Sequence, residues 1–153
     1  MDVLINAASF SSGVSYLYRN DGGSFANVTG TLAPSLSSDN LERQAVWGDL
    51  NNDGYVDFMR TTGGSGNGRM EIYLQDSASG KFGRSAGSTT PIKIGSSAAN
   101  DVRVYNGLNC EGSGFFDFDG DGDLDVYFDN HNFGVDILRN NYIDHTSNNV
   151  VNP

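Results

Sequence analysis

Cysteine is nearly absent from this chain: Cys110 is the single one in 153 residues. No intrachain disulfide can form, which excludes a small disulfide-stapled scaffold. A buried structural thiol is the expectation for Cys110, with an intermolecular bridge as the alternative. Proline is scarce too, three against twenty glycines. No run approaches the roughly 18 apolar residues of a membrane helix, and no signal peptide is visible. Basic residues are few. Lys and Arg total 9 against 19 Asp and Glu, a net charge of −10. That balance argues against nucleic-acid binding, which needs a basic stripe. Only two histidines occur, His131 and His145, and no Gly-x-Ser-x-Gly elbow is present, so no nucleophilic machinery is apparent. Asp129-Asn130-His131-Asn132 reads as a solvated turn rather than a catalytic loop. No segment keeps a helical period, and the Gly, Ser and Asn content fits a turn-rich all-β domain.

The acids that are present are not scattered. Asp49-Leu50-Asn51-Asn52-Asp53-Gly54-Tyr55-Val56-Asp57 and Asp117-Phe118-Asp119-Gly120-Asp121-Gly122-Asp123-Leu124-Asp125 share one spelling, 68 positions apart at both ends. Each has an oxygen side chain at positions 1, 3, 5 and 9 and Gly at 6. A hard cation such as Ca²⁺ takes six to eight oxygens at about 2.3–2.6 Å, so several must come from one tight turn. The backbone carbonyl at position 7, Tyr55 or Asp123, can add a ligand. Without a cation such close carboxylates repel. An acidic solvent-facing turn is the alternative for one copy; two in-frame copies weigh against it. Eight of the 19 acids lie in these loops, so the acidity reads as metal-site acidity and not as a disordered tail.

The loops are not EF-hands, which need a bidentate Glu at position 12 and a helix after it. Position 12 is Arg60 or Phe128. The segments that leave the loops, Val56 to Arg60 and Leu124 to Phe128, are β-branched and aromatic. Apolar pieces also precede each loop, Ala45-Val46-Trp47 and Phe115-Phe116. The unit is therefore strand, loop, strand. A second apolar strand arrives 15 residues after Asp57 (Ile72 to Asp76), 12 after Asp125 (Ile137 to Asn141) and 15 after Asp2 (Leu17 to Asp21). Asp2 thus occupies position 9 of a third copy. The chain reads as an excised piece that begins inside a repeat, behind an added Met, with any export signal upstream. A fourth short strand is expected around Ser24 to Ala26 and Lys81 to Gly83, with Tyr142-Ile143 as the third candidate. Linkers are expected at about 31–40 and 86–109. The latter contains two strand-like pieces, 91–94 and 101–105, expected to form an extra hairpin or blade edge. Four-strand units repeated at this period indicate β-propeller blades.

The apolar-apolar-x-Asp lead, the Asp-x-Asn/Asp-x-Asp-Gly-x-x-Asp loop and Leu17-Tyr18-Arg19-Asn20-Asp21-Gly22-Gly23-Ser24-Phe25 resemble FG-GAP/VCBS repeats. These build the integrin α-type β-propeller. The resemblance covers most of the chain outside the linkers and the last ten residues. It implies two Ca²⁺ sites. Side-chain ligands would be Asp49, Asn51, Asp53 and Asp57, with the Tyr55 carbonyl. The second set would be Asp117, Asp119, Asp121 and Asp125, with the Asp123 carbonyl. It implies about two and a half to three blades: 1–40 without its first strand and loop, 41–97, and 98–153. It also implies adhesion or recognition of a glycan or protein outside the cell or at its surface. Calcium is expected to be structural and no catalytic residue is expected. Too few blades for a ring suggest completion by a second copy or by the rest of a longer chain. A catalytic or non-catalytic part of a propeller-type glycan lyase or hydrolase is the other reading. The strand tyrosines, Tyr16, Tyr18, Tyr73, Tyr127 and Tyr142, are expected to pack between blades. Asn27-Val28-Thr29 is a chance-prone sequon, and Gly63 to Gly68 a flexible turn.

Overall fold

The computed structural model of the chain describes residues 2–5, 14–38, 42–62, 70–83, 92–94, 110–130 and 134–140. The architecture is all-β, in three antiparallel sheets that succeed one another along the chain. The first contains β1 (Val3–Ile5), β2 (Tyr16–Asn20) and β3 (Phe25–Asn27). The second contains β4 (Glu42–Gly48), β5 (Asp57–Thr62), β6 (Met70–Gln75) and β7 (Phe82–Gly83). A further strand, β8 (Ile92–Ile94), also pairs with β6. The third contains β9 (Cys110–Phe116), β10 (Asp125–Asn130) and β11 (Gly134–Leu138). Apart from β8, which pairs with β6 rather than with β7, strands that are neighbours in sequence are neighbours in each sheet, so each unit is built on a blade-like meander.

Among the described residues, the first sheet has no strand equivalent to β4 or β9. The candidate fourth strand of the third unit, Tyr142-Ile143, lies outside the described residues. So do 101–105, the Gly-rich turn at 63–68, His131 and His145. The 92–94 piece joins the second sheet as the expected blade edge.

The linker after β3 is not plain coil. It forms one α-turn, α1 (Thr29–Leu32), and a 3₁₀ turn at Pro34–Ser38. Neither shows a helical period, because packing rather than propensity holds such short pieces. Thr29 is buried; its Oγ1 accepts from Leu17 N at 2.8 Å and donates to Asn27 Oδ1 at 2.8 Å. Ala33 and Leu36 are fully buried beneath it.

Register decides which face each side chain takes, because strand residues alternate. Phe58, Tyr73 and Phe82 of the second sheet face back and pack with Leu17, Val28, Ala33 and Leu36, beside Leu4 and Trp47. Leu50, Met59, Met70 and Ile72 face forward and pack with Val126 and Phe128, beside Phe115, Leu124 and Leu138. The middle sheet is therefore covered on both faces, and the three sheets stack in chain order. The repeat is internally consistent. Phe58 and Val126 both face back, and so do Trp47 and Phe115. Leu4 and Met59, like Leu17 and Ile72, face forward. Ile137 sits where Ile72 sits, but no sheet among the described residues packs over it, and it is exposed.

Of the strand tyrosines, Tyr73 is buried, stacked on Phe58 at 4.5 Å. Tyr18 and Tyr127 are half-buried, Tyr16 is exposed, and Tyr142 lies outside the described residues.

Candidate metal centre

Both acidic segments form the loops between paired strands, Asp49–Asp57 from β4 to β5 and Asp117–Asp125 from β9 to β10. The glycines make the reversals possible. Gly54, Gly120 and Gly122 have φ of 85°, 76° and 95°, a region that a Cβ disfavours. Asn52 adopts φ 52° in the first loop, which Asn tolerates better than most residues.

The position-9 carboxylates anchor the loops. Asp57 and Asp125 are fully buried. Asp57 Oδ2 accepts from Leu50 N at 2.9 Å and Oδ1 from Gln75 N at 2.8 Å. Asp125 repeats this: Oδ2 accepts from Phe118 N at 2.8 Å and Oδ1 from Asn140 N at 2.7 Å. Asp2 Oδ1 accepts from Asn20 N at 2.9 Å. Asp2 thus stands at the same structural position, tying the start of one strand to the end of the next. Burial pushes the Asp57 carboxyl up to about 6, against the pull of the Gln75 and Leu50 N–H groups. Asp53 and Asp49 push it the same way. A cation at this loop would act in the opposite sense, favouring the charged form.

The position-1 carboxylates organise the turns. Asp49 accepts from Asp53 N at 3.1 Å and Gly54 N at 2.9 Å. Asp117 accepts from Gly120 N at 2.7 Å and Gly122 N at 3.2 Å. Position 5 caps the far side: Asp53 accepts from Tyr55 N and Asp121 from Asp123 N. Asn51 donates from Nδ2 to Asp53 Oδ2 at 3.0 Å. In the second loop, carboxylate oxygens of Asp117, Asp119 and Asp125 lie within 4.8 Å of one another. That is a hard, all-oxygen donor set of the type Ca²⁺ takes. The two loops differ chemically at position 3, where the second has Asp119 and the first the neutral Asn51.

Among the described residues, Arg139, Asn140 and Gln75 make polar contacts to the loops from outside. Arg139 pairs with Asp119 and, at 3.4 Å, with Asp121. The N–H of Asp123 is the main influence holding the Asp121 carboxyl below its usual range, and Arg139 adds to it. Asn140 sends Nδ2 to Leu50 O at 2.7 Å and to Leu124 O at 3.1 Å. Gln75 uses only its backbone N–H on Asp57. No role for these residues was evident from the sequence. For Arg139 and Asn140 the signal is the Arg-Asn pair closing the second apolar strand, at Arg19-Asn20 and again at Arg139-Asn140.

Residues 1–59 match the family described as the FG-GAP-like repeat, a span that runs from the first sheet through the first acidic loop. No curated protein matches the chain.

Proposed function

From the match of residues 1–59 to the FG-GAP-like repeat, we propose that the chain is an FG-GAP repeat protein and a calcium-binding β-propeller module for recognition outside the cell. Two Ca²⁺ ions would sit in the loops, held by Asp49, Asn51, Asp53, Asp57 and the Tyr55 carbonyl, and by Asp117, Asp119, Asp121, Asp125 and the Asp123 carbonyl. The observation that carries this is the gathering of Asp117, Asp119 and Asp125 within 4.8 Å on a turn fixed by its own N–H groups. When bound, the cation neutralises charge that the folded chain otherwise holds at close range. The protein's part is positional. Asp57 and Asp125 fix one edge of each loop to the strand beyond it, and Asp49 and Asp117 hold the turn.

Each ligand set lies in one nine-residue segment, which suits a structural ion better than a catalytic one. We assign the protein no enzymatic activity; hydrolase and lyase assays should stay flat with and without Ca²⁺. Extracellular modules bind Ca²⁺ in the range of about 10⁻⁴–10⁻³ M, which suits a surface or secreted setting and a glycan or protein ligand. Among the described residues no helix is long and apolar enough to cross a membrane.

Calorimetric titration tests the reading. The metal-stripped protein should take up two Ca²⁺, and Asp53→Ala and Asp121→Ala should each take up one. Ca²⁺ at about a hundred times Kd should add roughly 2.7 kcal/mol per site, or roughly 5–10 °C in Tm for a domain of this size. Absence of uptake by the unaltered protein would refute it.

A second reading, assembly with another copy or with further blades, is favoured by the outer face of the third sheet. Phe116, Phe118, Val135 and Ile137 are exposed there, at 39%, 59%, 58% and 37%.

A further inference from the structure

We propose that Asn140 couples the two acidic loops, so that a cation in one tightens the binding of a cation in the other. The inference rests on the calcium reading and goes beyond it. Its basis is a path between the two buried position-9 carboxylates in which hydrogen bonds alternate with the covalent frames of Leu50 and Asn140. Asp57 Oδ2 accepts from Leu50 N at 2.9 Å. The carbonyl of that same Leu50 accepts from Asn140 Nδ2 at 2.7 Å. The backbone N–H of Asn140 then donates to Asp125 Oδ1 at 2.7 Å. The second amide hydrogen of Asn140 reaches Leu124 O, inside the second loop, at 3.1 Å. One half-buried side chain therefore grips position 2 of the first loop and position 8 of the second while its backbone holds position 9.

Two further contacts lie alongside this path. Asn52 Nδ2 reaches Gly122 O at 3.4 Å. Gly48, directly before the first loop, is so close to the second that a Cβ there would lie 2.7 Å from Phe115 and 3.0 Å from Leu124. The loops are thus neighbours with no slack between them. Ordering one fixes the Leu50 peptide, and that fixes the acceptor Asn140 needs in order to hold the other. A second ion entering an already ordered pair has less disorder to remove.

Coupling between sites is reciprocal and is commonly 5–150-fold. The test is calorimetric Ca²⁺ titration of the metal-stripped full chain. Asp53→Ala gives the second loop's constant alone, and Asp121→Ala the first loop's. The overall two-ion constant of the unaltered protein should exceed the product of these two by about fivefold or more. Repeating the set on an Asn140→Ala background should bring that quotient to about one. A merely structural role for Asn140 would weaken every constant and leave the quotient in place. If Asn140→Ala does not fold, Asn140→Asp keeps the shape, lacks the amide donors and should give the same collapse. A quotient of one in the unaltered protein overturns the coupling while leaving two independent calcium sites. A quotient that survives removal of the amide overturns the role of Asn140. No Ca²⁺ uptake by the unaltered protein overturns the calcium reading and the coupling together.

Discussion

Not all loop acids are equivalent, and the position-9 residue differs from the rest in what it does without a cation. Both carboxylate oxygens of Asp57 accept backbone N–H groups in a fully buried setting, whereas Asp53 is exposed. Asp57→Asn keeps the size and one acceptor but turns an NH₂ toward either Leu50 N or Gln75 N. Leaving a buried donor unsatisfied costs about 1–3 kcal/mol. In EDTA, urea unfolding of Asp57→Asn should show a loss of that size, and Asp53→Ala a loss within about 0.5 kcal/mol. Equal effects of the two would sink the distinction. Arg139 makes the opposite kind of contribution. Its guanidinium pairs with Asp119 and Asp121, so it opposes a second cation at the same carboxylates. Arg139→Gln should raise second-loop Ca²⁺ affinity by roughly two- to fivefold, the worth of an exposed ion pair of about 0.5–1 kcal/mol. The gain should shrink in 0.5 M NaCl as screening grows. A titration showing no gain at low salt would mean that the Arg139 contact does not compete with the ion.

At the level of elements, the question is how a linker of two short turns is held in place. The second sheet reaches back for it. Arg60 on β5 pairs with Glu71 on β6 at 2.6 Å, both side chains fully buried. Arg60 also donates to Leu36 O at 3.3 Å and to Ser35 O at 3.5 Å, on the 3₁₀ turn. Tyr73 Oη donates to Glu71 at 3.0 Å, and burial pushes that phenol up. Breaking one side of a buried pair costs about 3–5 kcal/mol, because the other charge stays behind. Glu71→Gln should therefore destabilise by about that amount, while Arg60→Met with Glu71→Met together should cost less than Glu71→Gln alone. A double variant worse than the single would show that the charges themselves, and not their mutual neutralisation, hold the linker. None of this is legible in the sequence, where Arg60 only marks the failure of an EF-hand at position 12. The legible part is local. Val56 to Arg60 and Leu124 to Phe128 spell strands, and the regular offset from Asp2 to Asn20 places the first sheet before any contact is known. The turns at Thr29–Leu32 and Pro34–Ser38 are set by burial of Ala33 and Leu36, which propensity does not register. Asn140 and Leu50 are 90 positions apart, so no local pattern could pair them. Leu50 shows both sides. Its position in the loop says that it offers no ligand side chain, and only the stacked sheets show that it is a core residue.

Across the whole molecule, the same repeat that builds the stack shows that its last face differs from the face before it. The forward face of the second sheet is closed by the third, and that closeness depends on Gly48. A Cβ there would meet Phe115 at 2.7 Å and Leu124 at 3.0 Å. The position corresponding to Gly48 in the third sheet is Phe116, and the position corresponding to buried Leu50 is Phe118. Both phenylalanines are exposed, their rings 5.9 Å apart and edge to face. A sheet seated on the third as the third is seated on the second would collide with Phe116. The forward face therefore suits a partner that stands farther off and receives two aromatic rings. With Val135 and Ile137 it forms an apolar surface of the kind that marks contact sites. If that face drives self-association, sedimentation equilibrium at micromolar concentration should show a species larger than the monomer. Val135→Asp with Ile137→Asp should return it to the monomer with little change in Tm, because both side chains are already exposed. Gly48→Ala should do the reverse, lowering stability by about 1–3 kcal/mol through overpacking and leaving association intact. A monomer at every concentration, with and without Ca²⁺, would assign the face to further blades or to a different partner and would end the case for a second copy.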